Sequence, residues 1–364
     1  MTLDDKVDER LAGWLRTQLP GAEDIRVEGL DRLKFGMSAE MMVLAIVSRQ
    51  DGQDTRQDVV LRLRPKPPAL LEPYDLARQF AILRGLEGTA VRVPRALWLE
   101  DSGDVLGRPF FIMERAGGIV YEMQAPSDVA DDTVVRMCES LAEQLAAIHL
   151  VDLKTTGLAA IDKGTDHLDR ELTHWADEMN RVKRDSLPAL ERLLAALRAS
   201  KPAPCPRVTL VHGDAKPGNF AFADGQVSAV FDWEMTTVGD PLTDIGWLEL
   251  LWMQPVGLTS HPAALDIEAL LSHYEAASGI GLQNRSWYRA LNAYKMAVIC
   301  LIGAMLIEDG HSDDQKLMIA AYGTSMLTQV GLSELGIDES LDDGPVLPRA
   351  ERIEEIQAQA TPVL

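Results

Sequence analysis

A short segment in the second half of the chain combines a carboxylate, an amine and a carboxamide. Asp214, Lys216 and Asn219 lie in the run from Val211 to Asn219, and Asp232 follows after a second short apolar stretch. Transfer of a phosphoryl group needs three kinds of side chain. A carboxylate orients the attacking hydroxyl, oxygen atoms bind magnesium, and a cation stabilises the negative charge that develops on the phosphate oxygens. The segment between residues 214 and 232 therefore predicts a phosphoryl-transfer site.

The spacing of these residues assigns a role to each. The pattern His-x-Asp-x-x-x-x-Asn is typical of the catalytic loop of kinases, where the Asp accepts the hydroxyl proton and the Asn holds a metal ion. Asp214 and Asn219 fit those two roles. The dipeptide Asp224-Gly225 between two apolar runs predicts a β-hairpin, which brings Asn219 and Asp232 to the same end. Asp232 is then a second magnesium ligand.

Three residues of this segment also admit a structural interpretation. A His-Gly-Asp run on its own can be an ordinary strand-to-loop turn, in which His212 lies in the core and Asp214 caps the backbone. The offsets of Asn219 and Asp232 favour the catalytic interpretation, with His212 orienting the loop. Lys216 is placed to meet the transferring phosphate, although a solvated surface lysine is the alternative.

Hydrophobic periodicity predicts the elements that position these residues. The first half alternates short strands with two helices, and the second half is mainly helical, with a long apolar run at 296–307 that is too short to span a bilayer. The predicted helices cover residues 5–19, 74–86, 129–149, 169–184 and 187–200, and the predicted strands cover 25–32, 41–48, 58–64, 91–100 and 109–113. These elements indicate an α+β fold, with a small β-rich N-terminal lobe and a larger mainly helical C-terminal lobe.

The catalytic segment resembles the aminoglycoside phosphotransferase family of small-molecule kinases. The continuation at residues 239–247 is similar to that family's Asp-Pro-x-x-Asp segment, 106–115 resembles its hinge strand, and 168–175 resembles a helix of its C-terminal lobe. Within the family, the chain is most similar to the branch that includes kinase domains fused to acyl-CoA dehydrogenases. The resemblance covers roughly residues 25–335.

The resemblance implies a protein-kinase-like fold of two lobes and a reaction. Residues 1–113 would form the nucleotide-binding lobe, 114–338 the catalytic and substrate lobe, and 339–364 a tail that is expected to be flexible or to dock back. The implied reaction uses ATP and magnesium to phosphorylate a hydroxyl of a small molecule. That molecule would be a hydroxyacyl-CoA-like metabolite or an aminoglycoside-like compound.

The nucleotide-binding residues depart from the usual pattern. The loop over the phosphates would contain Gly36 and Ser38 but carries one glycine, and a plain β-turn is its alternative. The strand that normally supplies a phosphate-binding lysine offers Arg62, which carries the same charge on a planar fork; a solvated sheet arginine is its alternative. Met113 and Glu114, at the end of the hinge strand, are implied to contact the nucleotide.

A second departure concerns the partner of the strand cation. The helix that usually supplies a glutamate has Gln79 at that position, and a neutral amide can hydrogen-bond a guanidinium but cannot pair with its charge. Glu72 is a possible alternative partner for Arg62. These departures keep open a nucleotide-binding module without transfer activity, whereas Asp232-Trp233-Glu234 in place of Asp-Phe-Gly disfavours a protein kinase.

The amino-acid composition limits which kinds of partner and which cellular compartment are expected for this protein. The formal net charge of -21 argues against a nucleic acid or an anionic membrane surface as a partner. It could attract a cationic substrate or simply maintain solubility. Three cysteines without metal-ligand or disulfide spacing, and an N-terminus without a signal-peptide pattern, predict a cytoplasmic protein. The oligomeric state stays open.

The acceptor is expected to lie beside Asp214 in the helical lobe. Segments 167–179 and 247–253 would form its walls, because the acceptor hydroxyl must come within hydrogen-bond reach of the base. Their aromatic and apolar side chains favour an acyl or aromatic group over a polycationic sugar. Packing in the core would explain several of these side chains equally well.

Overall fold

The chain folds into two compact units. The structure is a computed structural model, and it describes residues 6–33, 40–164, 166–314, 316–318, 322–338, 343–344, 346, 348 and 350–359. The first unit comprises Met1–Gly118 together with Ser228–Glu234, and the second comprises Ile119–Val227 together with Met235–Leu364.

The first unit is built on a five-stranded antiparallel sheet. Its strand order is β1-β2-β3-β5-β4, and the turn between β2 and β3 uses Asp51 and Gly52, both at positive φ. Only glycine, asparagine and aspartate adopt that backbone conformation readily. The elements are α1 (Val7–Gln18), β1 (Glu23–Leu33), β2 (Glu40–Gln50), β3 (Gln53–Leu63), α2 (Leu76–Leu86), β4 (Ala96–Glu100) and β5 (Phe110–Glu114).

One face of this sheet packs against α1. Val59, Leu61 and Leu63 alternate along β3 and are fully buried together with Leu11 and Leu15 of α1, as the two-residue period of a strand requires. The strand predicted over 91–100 begins only at Ala96. Pro94 lies two residues before this start and has no N–H to donate to a neighbouring strand.

The second unit is mainly helical. It contains the antiparallel pairs β10-β7 and β6-β8, and β9, which follows β8 in the sheet order, starts in this unit and continues past Val227 into the segment of the first unit. This arrangement together with the first unit confirms the predicted α+β fold. The strands are β6 (Ile119–Val120), β7 (Thr209–Val211), β8 (Phe220–Ala223), β9 (Gln226–Val230) and β10 (Thr237–Gly239). The helices are α3 (Asp131–His149), α4 (His167–Val182), α5 (Pro188–Ala199), α6 (Leu242–Trp252), α7 (Ile267–Ser278), α8 (Arg285–Glu308), α9 (Gly323–Glu334) and α10 (Ala350–Gln359).

The long helix α8 forms the centre of the second unit. By length and composition it is the one helix, among the residues that the structure describes, that could cross a membrane, but 78% of its most apolar window is buried inside the protein. A core helix of this kind passes the same test on composition. The predicted apolar run at 296–307 is thus part of a buried helix.

The end of the chain docks onto the second unit. The carboxylate of Asp343 accepts hydrogen bonds from the backbone amides of Ala189 and Leu190 and caps the first turn of α5. Ile356 of α10 is buried, and Arg352 donates to a backbone carbonyl of α8. Both outcomes were left open for this segment, and its described residues contact the second unit.

Helices α6 and α8 approach each other closely at Gly246. A Cβ atom on Gly246 would lie 2.5 Å from the backbone carbonyl carbon of Tyr288, which is closer than real carbon atoms pack. We expect Gly246→Ala to lower the free energy of unfolding by about 2 kcal/mol or more, because the helices must separate. Chemical denaturation measures this change.

A matched control for this substitution is Gly13→Ala in α1. A Cβ atom on Gly13 would meet nothing within 4 Å, and replacing glycine by alanine inside a helix stabilises it by about 0.5–1 kcal/mol. The two substitutions should therefore change stability in opposite directions. Equal effects would mean that α6 and α8 are not in close contact at Gly246.

Candidate active site

Helix α6 holds the backbone of the loop that contains Asp214. The buried carboxylate of Asp244 accepts hydrogen bonds from the backbone amides of His212 and Gly213, each at 2.7 Å. His149 Nε2 lies 3.0 Å from the same carboxylate. Burial alone would raise the pKa of Asp244, but His149 and the backbone amide of Gly213 outweigh it and lower that pKa. These hydrogen bonds give Asp244 a structural role in the loop.

The loop then turns through Gly213 and presents Asp214. Gly213 has φ of +87°, and a Cβ atom there would lie 2.4 Å from the carbonyl oxygen of Met235, so a side chain does not fit. The backbone amide of Asp214 donates to Nδ1 of His212, and His212 is fully buried. This arrangement supports the structural role predicted for His212.

The carboxylate of Asp214 is surrounded by nitrogen donors. Its Oδ2 accepts a hydrogen bond from Asn219 Nδ2 at 2.8 Å and lies 3.2 Å from Lys216 Nζ. Its Oδ1 accepts a hydrogen bond from Trp247 Nε1 at 2.8 Å. The structure thus brings together Asp214, Lys216 and Asn219, as their spacing indicated, and adds Trp247. Their catalytic roles stay predictions.

Asn219 has a geometry that suits a metal ligand. It ends a short 3₁₀ turn, and its Nδ2 also donates to the backbone carbonyl of Asp214. Because both hydrogen bonds use Nδ2, the carboxamide oxygen is the atom suited to a cation, and magnesium prefers such oxygen ligands. In the part of the chain that the structure describes, no three His, Cys, Asp or Glu side chains group as a metal site.

The hairpin after Asn219 follows the prediction. Strands β8 and β9 are joined by Asp224 and Gly225, with φ of 51° and 75°, as a type I′ turn requires. Asp232 follows β9 and belongs to the first unit, so its partnership with Asn219 at one magnesium ion stays a prediction. Asp232 itself has φ of 65°, a conformation that aspartate tolerates better than most residues.

In the first unit, Arg62 is a buried cation with three oxygen-bearing partners. Its Nη2 donates to the hydroxyl of Tyr74 at 2.8 Å, to Asp232 at 2.9 Å and to Glu234 at 3.0 Å. Its side chain is only 6% exposed. Burial disfavours the charged form, but Tyr74, Asp232 and Glu234 outweigh it and raise the pKa of Arg62. The alternative of a solvated sheet arginine is therefore wrong.

The partners of Arg62 also show which carboxylates balance its charge, given that α2 has Gln79 where a glutamate is usual. Glu72, considered as a substitute partner, instead accepts hydrogen bonds from the backbone amides of Ala69 and Tyr74 and lies 3.8 Å from Arg64. The charge of Arg62 is balanced by Asp232 and Glu234, two carboxylates that follow β9. A glutamate on α2 is therefore not needed for this purpose.

The remaining nucleotide-binding predictions stay predictions. The side chain of Met113 is buried at the end of β5, and the carboxylate of Glu114 pairs with Arg95 at 2.6 Å. Gly36 and Ser38 lie outside the described residues.

The aromatic residues of the expected acceptor walls lie in the core. Trp175, Trp247 and Trp252 are 3–6% exposed, so packing explains them as well as a substrate does. Between the first two lies Lys295 of α8, whose Nζ is 2.6 Å from Glu171 and 5.8 and 5.7 Å from the ring centres of Trp175 and Trp247. At these distances a cation is attracted to the aromatic face.

Sequence reasoning missed Lys295. The signal was a single cation inside the apolar pattern of residues 290–307. A charged side chain there must find a buried partner, since an unpaired charge in a core is strongly unfavourable. Its partner Glu171 is far away in the sequence, on α4.

The pair of Glu171 and Lys295 predicts a pH dependence of stability. Burial would raise the pKa of Glu171, but Lys295 outweighs it and lowers that pKa to about 2. A carboxyl group with a lowered pKa stabilises the fold above its unfolded pKa, and this stabilisation is lost as the pH falls through the folded pKa. The deficit of Glu171→Gln, on the order of 1–3 kcal/mol at pH 7, should therefore shrink between about pH 5 and pH 2.

Urea unfolding at several pH values measures that deficit. Glu178→Gln on the same helix is the control, because Glu178 pairs with Arg181, whose side chain is 52% exposed. Exposed pairs of this kind contribute about 0–1 kcal/mol. A deficit of Glu171→Gln that is independent of pH would contradict a charge-based contribution.

The chain belongs to the phosphotransferase enzyme family, whose model matches residues 48–291. This assignment confirms the family that the catalytic segment resembles and the predicted class of enzyme, a phosphotransferase. Acyl-CoA dehydrogenase family member 11 of Rattus norvegicus is 28% identical over 345 residues, which are 88% of this chain and 42% of that protein. The chain spans less than half of the length of the curated relatives it matches.

Solved structures agree on the fold. A candidate aminoglycoside phosphotransferase from Ralstonia eutropha has a TM-score of 0.73 at 24% identity, over 90% of this chain and 98% of that one. A thermostable mutant of aminoglycoside phosphotransferase APH(4)-Ia, in a ternary complex with AMP-PNP and hygromycin B, has a TM-score of 0.58 at 17% identity. That alignment covers 93% of this chain and 100% of the other. These likenesses support the predicted two-lobe, kinase-like fold.

Proposed function

We propose that the protein transfers the γ-phosphoryl group of ATP to a hydroxyl group of a small molecule, with magnesium as the cofactor. The observation that carries this proposal is the arrangement around Asp214, whose carboxylate is held by Asn219 and Trp247 beside the amine of Lys216. A structural turn would not need these groups around one carboxylate. The AMP-PNP bound in the APH(4)-Ia complex supports the choice of an adenine nucleotide.

Each residue has a role in this proposal. Asp214 accepts the proton of the acceptor hydroxyl, and Lys216 lies on the transferred phosphate. Asn219 and Asp232 would hold magnesium, which neutralises charge on the phosphate oxygens. Arg62 binds the nucleotide phosphates through its planar fork. Gly36, Ser38, Met113 and Glu114 complete the predicted nucleotide contacts.

The acceptor we favour is a hydroxyacyl-CoA-like metabolite. The relatives of this chain that carry the name acyl-CoA dehydrogenase support a substrate from acyl-CoA metabolism. The hygromycin B bound by APH(4)-Ia supports the alternative, an aminoglycoside-like compound. The tryptophans of the expected acceptor walls are buried in the core, so they do not decide between these two acceptors.

We also propose a cytoplasmic location. Its support is that Cys138, Cys205 and Cys300 are free thiols, as a reducing compartment keeps them. Mass spectrometry of alkylated protein purified from its native cell, without reductant, would test this. Intermolecular disulfides would count against it.

The function is tested with radiolabelled ATP and a panel of acceptors. The panel holds hydroxyacyl-CoA thioesters of several chain lengths and hydroxyl positions, the matching free hydroxy acids, and aminoglycosides. We expect magnesium-dependent transfer to at least one thioester and no transfer to the deoxy thioester of the same length. Transfer to aminoglycosides alone would replace the acceptor, and nucleotide binding without any transfer would favour a binding module.

A further inference from the structure

The orientation of the Asp214 carboxylate depends on a residue outside the catalytic loop. Asn219, which donates to Oδ2, is five residues along the same loop. Trp247, which donates to Oδ1 at 2.8 Å, is on α6. The two donors therefore hold the two oxygens of one carboxylate from two separate elements.

Two hydrogen-bond donors restrict the rotation of a carboxylate more than one donor does. The terminal torsion of an aspartate side chain is broad, so a carboxylate with a single hydrogen bond can rotate over a wide range. A second N–H on the other oxygen fixes the plane of the group. Because displacement of a reacting group by about 1 Å can cost ~10²-fold in rate, the fixed plane matters for a base that must meet a hydroxyl.

Trp247 is itself held by charged and packed neighbours. Lys295 Nζ lies 5.7 Å from the centre of its ring and is bound to Glu171 at 2.6 Å. The preceding residue, Gly246, packs directly on the backbone of Tyr288 in α8. Trp247 is 4% exposed. The indole is thus anchored by α4 and α8 as well as by its own helix.

We propose that Trp247 is a positioning residue for the base Asp214, and that Lys295, paired with Glu171, holds the indole in place. The proposal rests on the proposed phosphotransfer for its kinetic consequence, but the hydrogen bond itself is independent of activity. A neutral N–H orients the carboxylate without adding a second cation beside it. Trp247 is therefore part of the catalytic arrangement rather than a wall of the acceptor site.

The hydrogen bond is tested first, without any substrate. The protein is labelled with ¹⁵N at its seven tryptophan indoles, and the Trp247 resonance is identified by its absence in Trp247→Phe. In Asp214→Ala we expect this resonance to move upfield, because the indole loses a carboxylate acceptor. The resonance of Trp287, which donates to the backbone carbonyl of Leu197, should stay in place.

The positioning role is tested with the acceptor found in the screen. Trp247→Phe should lower kcat about 10- to 100-fold, the effect of losing one hydrogen bond to a charged group, with little change in the KM for ATP. Trp287→Phe, an equally buried tryptophan on α8, is the matched control and should retain wild-type kinetics.

Lys295 is tested by Lys295→Arg and by the neutral pair Lys295→Met with Glu171→Gln. Lys295→Arg should retain most of the activity. The double variant should lower kcat, as Trp247→Phe does, and because Glu171 is replaced as well it leaves no unpaired carboxylate in the core. An unmoved Trp247 resonance in Asp214→Ala would overturn the proposal. Equal kinetics for Trp247→Phe and Trp287→Phe would overturn it as well. A protein without any transferase activity would refute the proposed function, and the resonance test alone would then decide whether Trp247 orients Asp214.

Discussion

Asp214→Asn should lower kcat by at least ~10²-fold and leave the affinity for magnesium and nucleotide near that of the wild type. The substitution keeps the size of the side chain but removes the group that accepts the proton. The predicted metal ligands Asn219 and Asp232 and the predicted phosphate ligand Arg62 remain. Calorimetric titration with a non-hydrolysable ATP analogue and steady-state kinetics with the acceptor measure the two effects separately.

Asp224→Asn is the matched control for that experiment. Asp224 lies at the tip of the β8–β9 hairpin with φ of 51°, and asparagine tolerates this conformation as well as aspartate does. The same chemical change at this turn should leave kcat unaltered. Near-wild-type turnover of Asp214→Asn would remove Asp214 as the base, and a parallel loss of nucleotide binding would indicate a disturbed loop.

Local patterns allowed much of the catalytic segment to be predicted. The hairpin at Asp224-Gly225 follows from a turn dipeptide between two apolar runs, and the offset between Asp214 and Asn219 is short enough for one loop to hold both. The strands of the first unit are predictable for the same reason, since the apolar runs of β2 and β3 lie on either side of the turn at Asp51-Gly52. Such signals need no knowledge of distant contacts.

The unpredicted features depend on long-range packing. Arg62 and Asp232 are 170 residues apart in the sequence, and no periodicity indicates that a sheet arginine will meet that carboxylate. The indole of Trp247 is 33 residues from Asp214, and its apolar neighbours in α6 gave no sign of a polar partner. Lys295 and Glu171 are on different helices. These contacts form only when whole elements pack together.

The docking of the chain terminus has the same cause. The composition of residues 338–364 is polar and gave little sign of structure. Its contacts are a carboxylate on the first turn of α5, from Asp343, and a buried Ile356. An anionic side chain at a helix N-terminus satisfies amides that have no partner within the helix. These contacts depend on where the segment meets α5 and α8, which its composition does not encode.

Arg62→Met should produce the largest loss of stability among these substitutions, together with weaker nucleotide binding. It removes the cation between Asp232 and Glu234, which lie 2.9 and 3.0 Å from Nη2. Leaving two partly buried carboxylates without their partner costs up to about 3–5 kcal/mol, the figure for a fully buried pair. If Arg62 also binds phosphates, the affinity for metal-free nucleotide should fall by ~10-fold or more, the contribution of a hydrogen bond to a charged group.

Two controls separate the structural and the binding roles of Arg62. Arg56→Met, on the same strand, removes an arginine that is 59% exposed and pairs with Glu28, and should change stability by no more than about 1 kcal/mol. Asp232→Asn keeps a residue that tolerates φ of 65° and leaves Glu234 for Arg62, so it should weaken binding only when magnesium is present. Calorimetry with and without magnesium distinguishes these cases, because a phosphate ligand acts in both conditions and a metal ligand in one. If Arg62→Met unfolds more easily but binds nucleotide normally both with and without magnesium, then Arg62 holds Asp232 in position and another cation binds the phosphates.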